Sequence, residues 1–526
     1  MIKKNKIIYG DIAAIKNHGF DEYLENFYWP ISESEYQKNV FSIHKNYIDI
    51  LNNTKDSFIY DLGLVELTLI SELQIIYHYQ AVKNKAKKSN YLLYYSGRST
   101  KYYDLHWDEY ANFYNQMKFP HGPLIRIIRR LIKLFLFNRH LTISNFIKGL
   151  FNKKMVIGVG SFDRLKHEYI IKNNIFCYHY DWPDIFESKQ INPKEVDKIL
   201  HKFNEELLNP FLDFLIGFDS DIFTKELISN LRLAWNQRLK DLIFLYKNCT
   251  VFKGKSILIT EVGKPHSKII SLVNSKNEVK VYNFHHGSDM GEVLQTRSHI
   301  NDTSHCQYFV VPTNSSKNAY KENYRDISVE KRIGLSYISN NSNFYKNLYT
   351  NNQNLASSST IKSVMIIGYP MTQYRPMEEV GLFFYIRLEF EYRLIMSLKN
   401  KGFRVLYKAH PDRLEEISGF FETIVDEFLV EPFEKVWTQA DALVYGLTST
   451  STFGYGLCTN LPITLVNLEG TLWNPKQKKY LEGRISLVTA KINKKQQIDF
   501  SEKDLIDSLK MPKPAKNWKA ADQYFN

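Results

Sequence analysis

The chain makes little use of cysteine. Its four cysteines, Cys177, Cys249, Cys306 and Cys458, are scattered with no C-x-x-C pair. That excludes a disulfide framework or a structural zinc site and fits a reducing compartment. Long apolar runs are missing too: no stretch of eighteen apolar residues occurs, so no segment is expected to span a bilayer. The basic start ahead of Ile7, Ile8 and Tyr9 lacks the apolar core of a signal peptide. The expected location is therefore cytoplasmic, with a peripheral position at the inner membrane left open by one basic segment described below. Val156 to Gly160 runs like a strand into a glycine turn but lacks the third glycine of a dinucleotide fingerprint. No internal repeat is present, and no Asp-x-Asp motif follows a strand where a metal-bridged diphosphate would need one.

What is present is a long chain of 526 residues, 44% hydrophobic, which calls for two or three domains. Aromatic residues reach 14% and the formal net charge is +13. Such a charge suits an anionic partner: a nucleotide, an anionic lipid, a polyanionic glycan or a nucleic acid. Between Leu124 and Lys154 eight lysines and arginines stand without one acidic residue. Leu124, Ile127, Ile128, Leu131, Ile132 and Phe135 among them follow helical spacing. A basic amphipathic helix of this kind can lie in an anionic membrane interface, or can pack one face on a core and solvate the other. Nucleic acid is not expected as a partner, because no recognised binding module accompanies the patch.

Helices are expected through Phe41–Leu51, Val65–Val82 and Pro193 to Tyr246. Apolar strands then alternate with helices from Ser256 onward, which predicts an α/β fold with parallel sheets built from right-handed crossovers. Asn340 to Thr360 is rich in Asn, Ser and Thr and reads as an interdomain linker. The expected division is an N-terminal Rossmann-like domain over 1–345 with helical insertions, and a linker over 346–360. A C-terminal Rossmann-like domain covers 361–500, and a tail over 501–526 crosses back.

In a parallel sheet, ligands bind beyond the carboxyl ends of the strands. In the second domain the strand ending at Lys408 leads into Ala409-His410-Pro411-Asp412-Arg413. The strand ending at Tyr445 leads through Gly446 into Thr448, Ser449, Thr450, Ser451 and Thr452. Imidazole, hydroxyls, backbone N–H groups and a helix start form an anion site, so Lys408, His410, Pro411, Arg413 and Thr448 to Thr452 are read as the donor-phosphate pocket. In the first domain the strand ending at Phe284 meets His285-His286-Gly287-Ser288-Asp289. A histidine there is placed to act as general base on an acceptor hydroxyl. Asp289 either orients it or is itself the base, and Glu261, at a neighbouring strand end, is a further carboxylate.

The order His-His-Gly-Ser-Asp, then Lys-Ala-His-Pro-Asp-Arg, then Ala-Asp-Ala-Leu-Val-Tyr-Gly with a hydroxyl run ending in Asn-Leu-Pro-Ile resembles a glycosyltransferase of the GT-B type. More narrowly it is similar to bacterial capsule and lipopolysaccharide Kdo transferases that use CMP-Kdo, and to CDP-glycerol glycerophosphotransferases. The likeness covers roughly Ser256 to Asn467. It implies two Rossmann-like domains facing across a cleft, and a nucleotide-sugar donor, CMP- or CDP-linked, with no cofactor and no metal. His410 and the hydroxyl run would hold the donor phosphate. His286 would be the base, or the carboxylate of Glu261 or Asp289 would take the central chemical role. One departure stands out: where Kdo-type relatives carry Ser-x-x-Gly-x-Glu, this chain ends the pattern in Gly456, so Glu431 or Glu434 is the expected substitute. The implied activity is transfer of Kdo or a related ulosonic acid to a glycan or glycolipid hydroxyl in bacterial surface polysaccharide synthesis. The alternatives are glycerol phosphate transfer from CDP-glycerol, sugar-nucleotide 2-epimerisation, and a non-catalytic, membrane-peripheral nucleotide-binding protein.

Overall fold

The computed structural model describes residues 7–96, 100–105, 123–151, 156–160, 163–187, 189–286, 290–294, 296–322, 329, 334–354, 360–369, 384–448, 450–513 and 516–526. Two short strands, β1 (Ile7–Tyr9) and β2 (Leu92–Tyr94), pair with each other in parallel. The first large sheet contains β3 (Val156–Val159), β4 (Cys177–Tyr180), β5 (Ser256–Ile259), β6 (Lys280–Phe284), β7 (Tyr308–Val311) and β8 (Ser336–Ser339). Its order is β4-β3-β5-β6-β7-β8 and every pair is parallel. The second contains β9 (Ser363–Ile367), β10 (Arg404–Lys408), β11 (Glu427–Leu429), β12 (Ala442–Tyr445), β13 (Ile463–Leu468), β14 (Ile485–Ile492) and β15 (Ile498–Phe500). Its order is β11-β10-β9-β12-β13-β14-β15, parallel except for the last pair. This is an α/β fold with two Rossmann-like sheets.

The central strands are apolar at nearly every position because both faces are covered. Side-chain alternation then splits each strand between two cores. Val405 and Tyr407 enter one, with Val364, Ile366 and Val444. Leu406 enters the other, with Met365, Ile367 and Leu443. Helices Phe384–Lys399 and Glu502–Lys510 cover the first face. The chain end, through Trp518, Tyr524 and Phe525, helps to cover the second.

The N-terminal helices bind the lobes together. Helix Ser57–Lys88 is apolar almost all round and buried along most of its length, as such a helix must be. Its fully buried Glu66 pairs with Arg238 of helix Lys225–Asn248 at 3.0 Å. The opening segment belongs elsewhere than the expected 1–345 domain suggests. Phe20 packs on Tyr392 and Phe420, and the Tyr23 hydroxyl donates to the Tyr385 carbonyl at 2.6 Å, so this stretch docks on the second sheet's helices. The expected linker also differs. It contains helix Phe344–Asn352, whose Tyr345 is buried in the second lobe's core. Its Asn-rich composition hides an apolar face at Phe344, Tyr345, Leu348 and Tyr349. The tail returns to the first lobe: the Asn526 carbonyl accepts from the Asn314 and Ser315 N–H groups at 2.6 and 3.1 Å. Among the described residues no helix is long and apolar enough to cross a membrane.

Candidate functional site

Each sheet has one place where the chain turns from building on one side to building on the other, and such switch points open a crevice beyond the strand ends. In the second sheet it lies between β9 and β12. Lys408 and Tyr445 both register against Ile367 of β9, from opposite sides. The His410 turn and the hydroxyl run therefore leave the same edge two strand spacings, about 10 Å, apart. In the first sheet the switch point lies between β3 and β5. Asp163 follows β3, Glu261 follows β5 and His286 follows β6, again on one edge.

These two edges face each other. Beyond β6, the Leu294 N–H donates to the Leu472 carbonyl at 2.8 Å; beyond β13, the Asn474 N–H donates to the Glu292 carbonyl at 2.8 Å. Val293 and Trp473 form an antiparallel bridge between those bonds. Arg164, first in the helix after β3, reaches Glu434, just beyond β11, at 4.0 Å and stacks 4.2 Å over the Phe344 ring. The carboxyl ends of both sheets thus border one cleft.

On the first edge, strand alternation sends the two adjacent histidines opposite ways. His285 is buried, with Nε2 2.7 Å from the Tyr320 hydroxyl and its ring packed near Phe309. It is a core residue, which corrects its expected catalytic role. His286 leaves 73% of its side chain exposed, and its Nδ1 lies 3.7 Å from an Asp163 carboxylate oxygen. Asp163 also caps helix Arg164–Lys172 by accepting from the Lys166 N–H at 3.2 Å. Burial works against its charge, but the contact with His286 and the Lys166 N–H bond outweigh that and hold its pKa below the usual aspartate range. Asp163 was not anticipated; an aspartate opening a helix just after a strand–glycine turn is the signal that points to it.

Glu261 occupies the left-handed region, with φ 58°, at the switch point itself, a conformation that non-glycine residues seldom adopt outside functional sites. His266 at 3.8 Å and Lys264 at 3.2 Å hold its carboxyl down at about 2, against burial. Burial keeps His266 itself toward the neutral form. At neutral pH the carboxylate is therefore held chiefly by Lys264 and the imidazole dipole. So firmly ionised a carboxylate is a poor general base at neutral pH but a competent stabiliser of positive charge. Asp289 lies outside the described residues.

On the second edge, Arg413 does not reach the cleft. It is fully buried, and its Nη1 binds both Glu391 oxygens at 3.0 and 2.9 Å, while the Tyr407 hydroxyl donates to Glu391 at 2.7 Å. Its expected phosphate role is replaced by a structural one: it ties the 411–413 turn to helix Phe384–Lys399. His410 is half-buried, Pro411 and Glu431 are exposed, and Lys408 is buried at the strand end. Burial lowers the Lys408 ammonium's pKa, and Glu431 and Glu434 pull the other way. Thr448 and Thr450 are buried; Thr450 caps helix Ser451–Leu457 by accepting from the Phe453 N–H at 3.0 Å. Ser451 is exposed and Thr452 half-buried, and Ser449 lies outside the described residues. Gly456 is explained by packing. A Cβ there would meet the Tyr445 hydroxyl at 2.3 Å, and its carbonyl accepts from buried Arg484 at 3.2 Å. Any side chain at this position would require the Tyr445 ring to shift.

No family model matches the chain, and no curated protein matches its sequence. Among solved structures it is similar to the UDP-N-acetylglucosamine 2-epimerase of Rickettsia bellii: 10% identity, TM-score 0.33, covering 71% of this chain and 94% of that one. It is similar to a UDP-glucosyltransferase of Polygonum tinctorium, at 10% identity and TM-score 0.31, covering 71% and 92%. It is similar also to HepE of Anabaena, solved in complex with UDP, at 11% identity and TM-score 0.33, covering 71% and 96%. Likenesses this distant carry no functional weight. The sheet orders and the facing strand ends of the chain itself define the class: an α/β protein of two Rossmann-like lobes around a cleft, the GT-B arrangement.

Proposed function

We propose that the chain is a glycosyltransferase whose first lobe presents the acceptor and whose second lobe holds a nucleotide-activated donor. The observation that carries this reading is the cleft itself. An exposed, carboxylate-paired imidazole lies on one strand edge, and an imidazole with a hydroxyl-bearing turn lies on the edge that faces it. Asp163 orients His286 through Nδ1, which leaves Nε2 as the base that takes the acceptor hydroxyl proton as the new bond forms. His410 and the Thr448–Thr452 turn stabilise the charge that develops on the departing phosphate. Glu261, fixed as an anion, suits the positive charge of an oxocarbenium-like transition state.

The motif resemblance supports a CMP-activated ulosonic acid such as Kdo as donor, and a glycan or glycolipid of a bacterial surface polysaccharide as acceptor. The net charge of +13 suits such acidic substrates. The test is a thermal-shift panel of CMP, CDP, UDP and GDP, followed by product analysis. Selective stabilisation by CMP is expected. A CDP response would move the assignment to glycerol phosphate transfer, and turnover of a UDP-sugar without an acceptor to 2-epimerisation. Nucleotide binding with no turnover of any donor would leave a binding protein and end the transferase reading.

A further inference from the structure

The basic segment forms a surface that the proposed chemistry does not use. Helix Pro123–Asn138 lies along β4, and its inner face is fully engaged. Arg130 pairs with Asp184 at 2.7 Å, Lys133 with Asp181, and Phe137 stacks on His179 at 4.4 Å, while Asn138 bonds the Cys177 backbone. Among the described residues the opposite face has no such partners. Ile128, Leu131, Ile132 and Phe135 are between 49% and 63% exposed. Helix Ile143–Leu150 extends the same plate: Phe146 stacks on Phe135 at 5.6 Å, and Ile143 and Phe151 beyond it are 81% and 82% exposed. Together these side chains form an extended exposed apolar patch, which on a soluble protein marks an interaction surface.

The charge around the plate selects what covers it. From Leu124 to Lys154 there is no acidic residue, and Arg129, Arg139 and Lys148 are exposed on the outer surface. An apolar face on a segment that carries cations and no carboxylate complements a bilayer of anionic lipid, with the aliphatic and aromatic side chains in the acyl boundary and the cations at the headgroups. A symmetric pairing of two such faces would instead bring like charges together.

We infer that the two helices Pro123–Asn138 and Ile143–Leu150 dock the protein on an anionic membrane surface. The plate is anchored at the acceptor edge. Asp181 and Asp184, which hold it, flank Trp182, whose ring stacks 4.4 Å from that of His266, the neighbour of Glu261. If the transferase reading above holds, docking here sets the first lobe's strand ends near the lipid, and the acceptor class is a lipid-borne glycan.

All four native cysteines are buried, so an environment-sensitive fluorophore can be placed selectively at Ile143→Cys, and separately at Met511→Cys, an exposed position (76%) on another part of the surface. Vesicles of phosphatidylcholine with phosphatidylglycerol are then added to the full chain, with pure phosphatidylcholine as the comparison. The expected result is a blue shift at position 143 alone, co-flotation with the anionic vesicles, and loss of both in 0.5 M salt. The double variant Ile132→Asp, Phe135→Asp should keep the wild-type melting temperature, since both side chains face outward, and lose at least about tenfold in vesicle partitioning. Absence of flotation at low salt would overturn the inference, as would a concentration-dependent dimer that the double variant abolishes. Neither result depends on nucleotide binding, so failure here leaves the transferase proposal standing, and the reverse also holds.

Discussion

The two strand edges that border the cleft are built on opposite plans. On the first, the chemically active groups meet water or sit just beneath it: His286 is exposed, and Asp163 and Glu261 are ionised carboxylates held by contacts with histidine and lysine. On the second, the charged groups are folded into the protein. Arg413 and Glu391 form a buried pair, Lys408 is buried, and Arg387, 1% exposed, donates to the Gly446 carbonyl at 3.1 Å. The first edge can exchange protons; the second fixes a backbone frame whose His410 turn and hydroxyl turn can receive an anion. On the proposed reading, this difference puts acceptor chemistry in one lobe and anion retention in the other.

The comparison breaks most visibly at the buried pair. Glu391→Gln leaves the Arg413 guanidinium in the core without a counter-charge, and about 3–5 kcal/mol of stability is expected to be lost. Chemical denaturation should show the deficit, and a deficit below about 1 kcal/mol would mean that the pair does not hold the frame. Asp163→Asn tests the other edge. Asparagine keeps the helix cap but removes the charge beside His286. Turnover should fall about 10- to 100-fold with little change in melting temperature, and the pH profile should shift. A large loss of stability with an unchanged profile would make Asp163 a cap only.

The smallest effect concerns Glu261. Its carboxyl is lowered from 4.5 to about 2 in the folded chain, so the unfolded chain binds the proton more tightly. The stabilisation is complete above about 4.5 and is lost as pH falls toward about 2. After discounting for solvent screening at this partly buried group, Glu261→Gln should remove about 1 kcal/mol at pH 6 and almost nothing near pH 2. Equal losses at both ends would show that the carboxylate's charge is not what matters.

Much of the fold was legible because buried parallel strands announce themselves. The strands expected to end at Phe284, Lys408 and Tyr445 do so, as β6, β10 and β12. β4 and β8 carry no such signal: Cys177-Tyr178-His179-Tyr180 and Ser336-Tyr337-Ile338-Ser339 mix polar and aromatic residues and form the sheet's two edges. The candidate site was legible only where local rules sufficed. The alternation that buries His285 and exposes His286 is a property of adjacent residues. Arg413, by contrast, looked like a phosphate ligand because it follows His410; its partner Glu391 lies 22 residues upstream on a helix. Asp163 lies 123 residues before His286, and only the sheet order brings them together.

The division of labour between the edges is tested most directly by calorimetric titration of CMP into wild type, His410→Ala and His286→Ala. The account predicts that His410→Ala weakens binding at least about tenfold, as loss of a charge-assisted contact should. His286→Ala should bind as wild type while losing turnover about 10²- to 10⁴-fold. Undiminished CMP affinity in His410→Ala, or equal weakening in both variants, would contradict it.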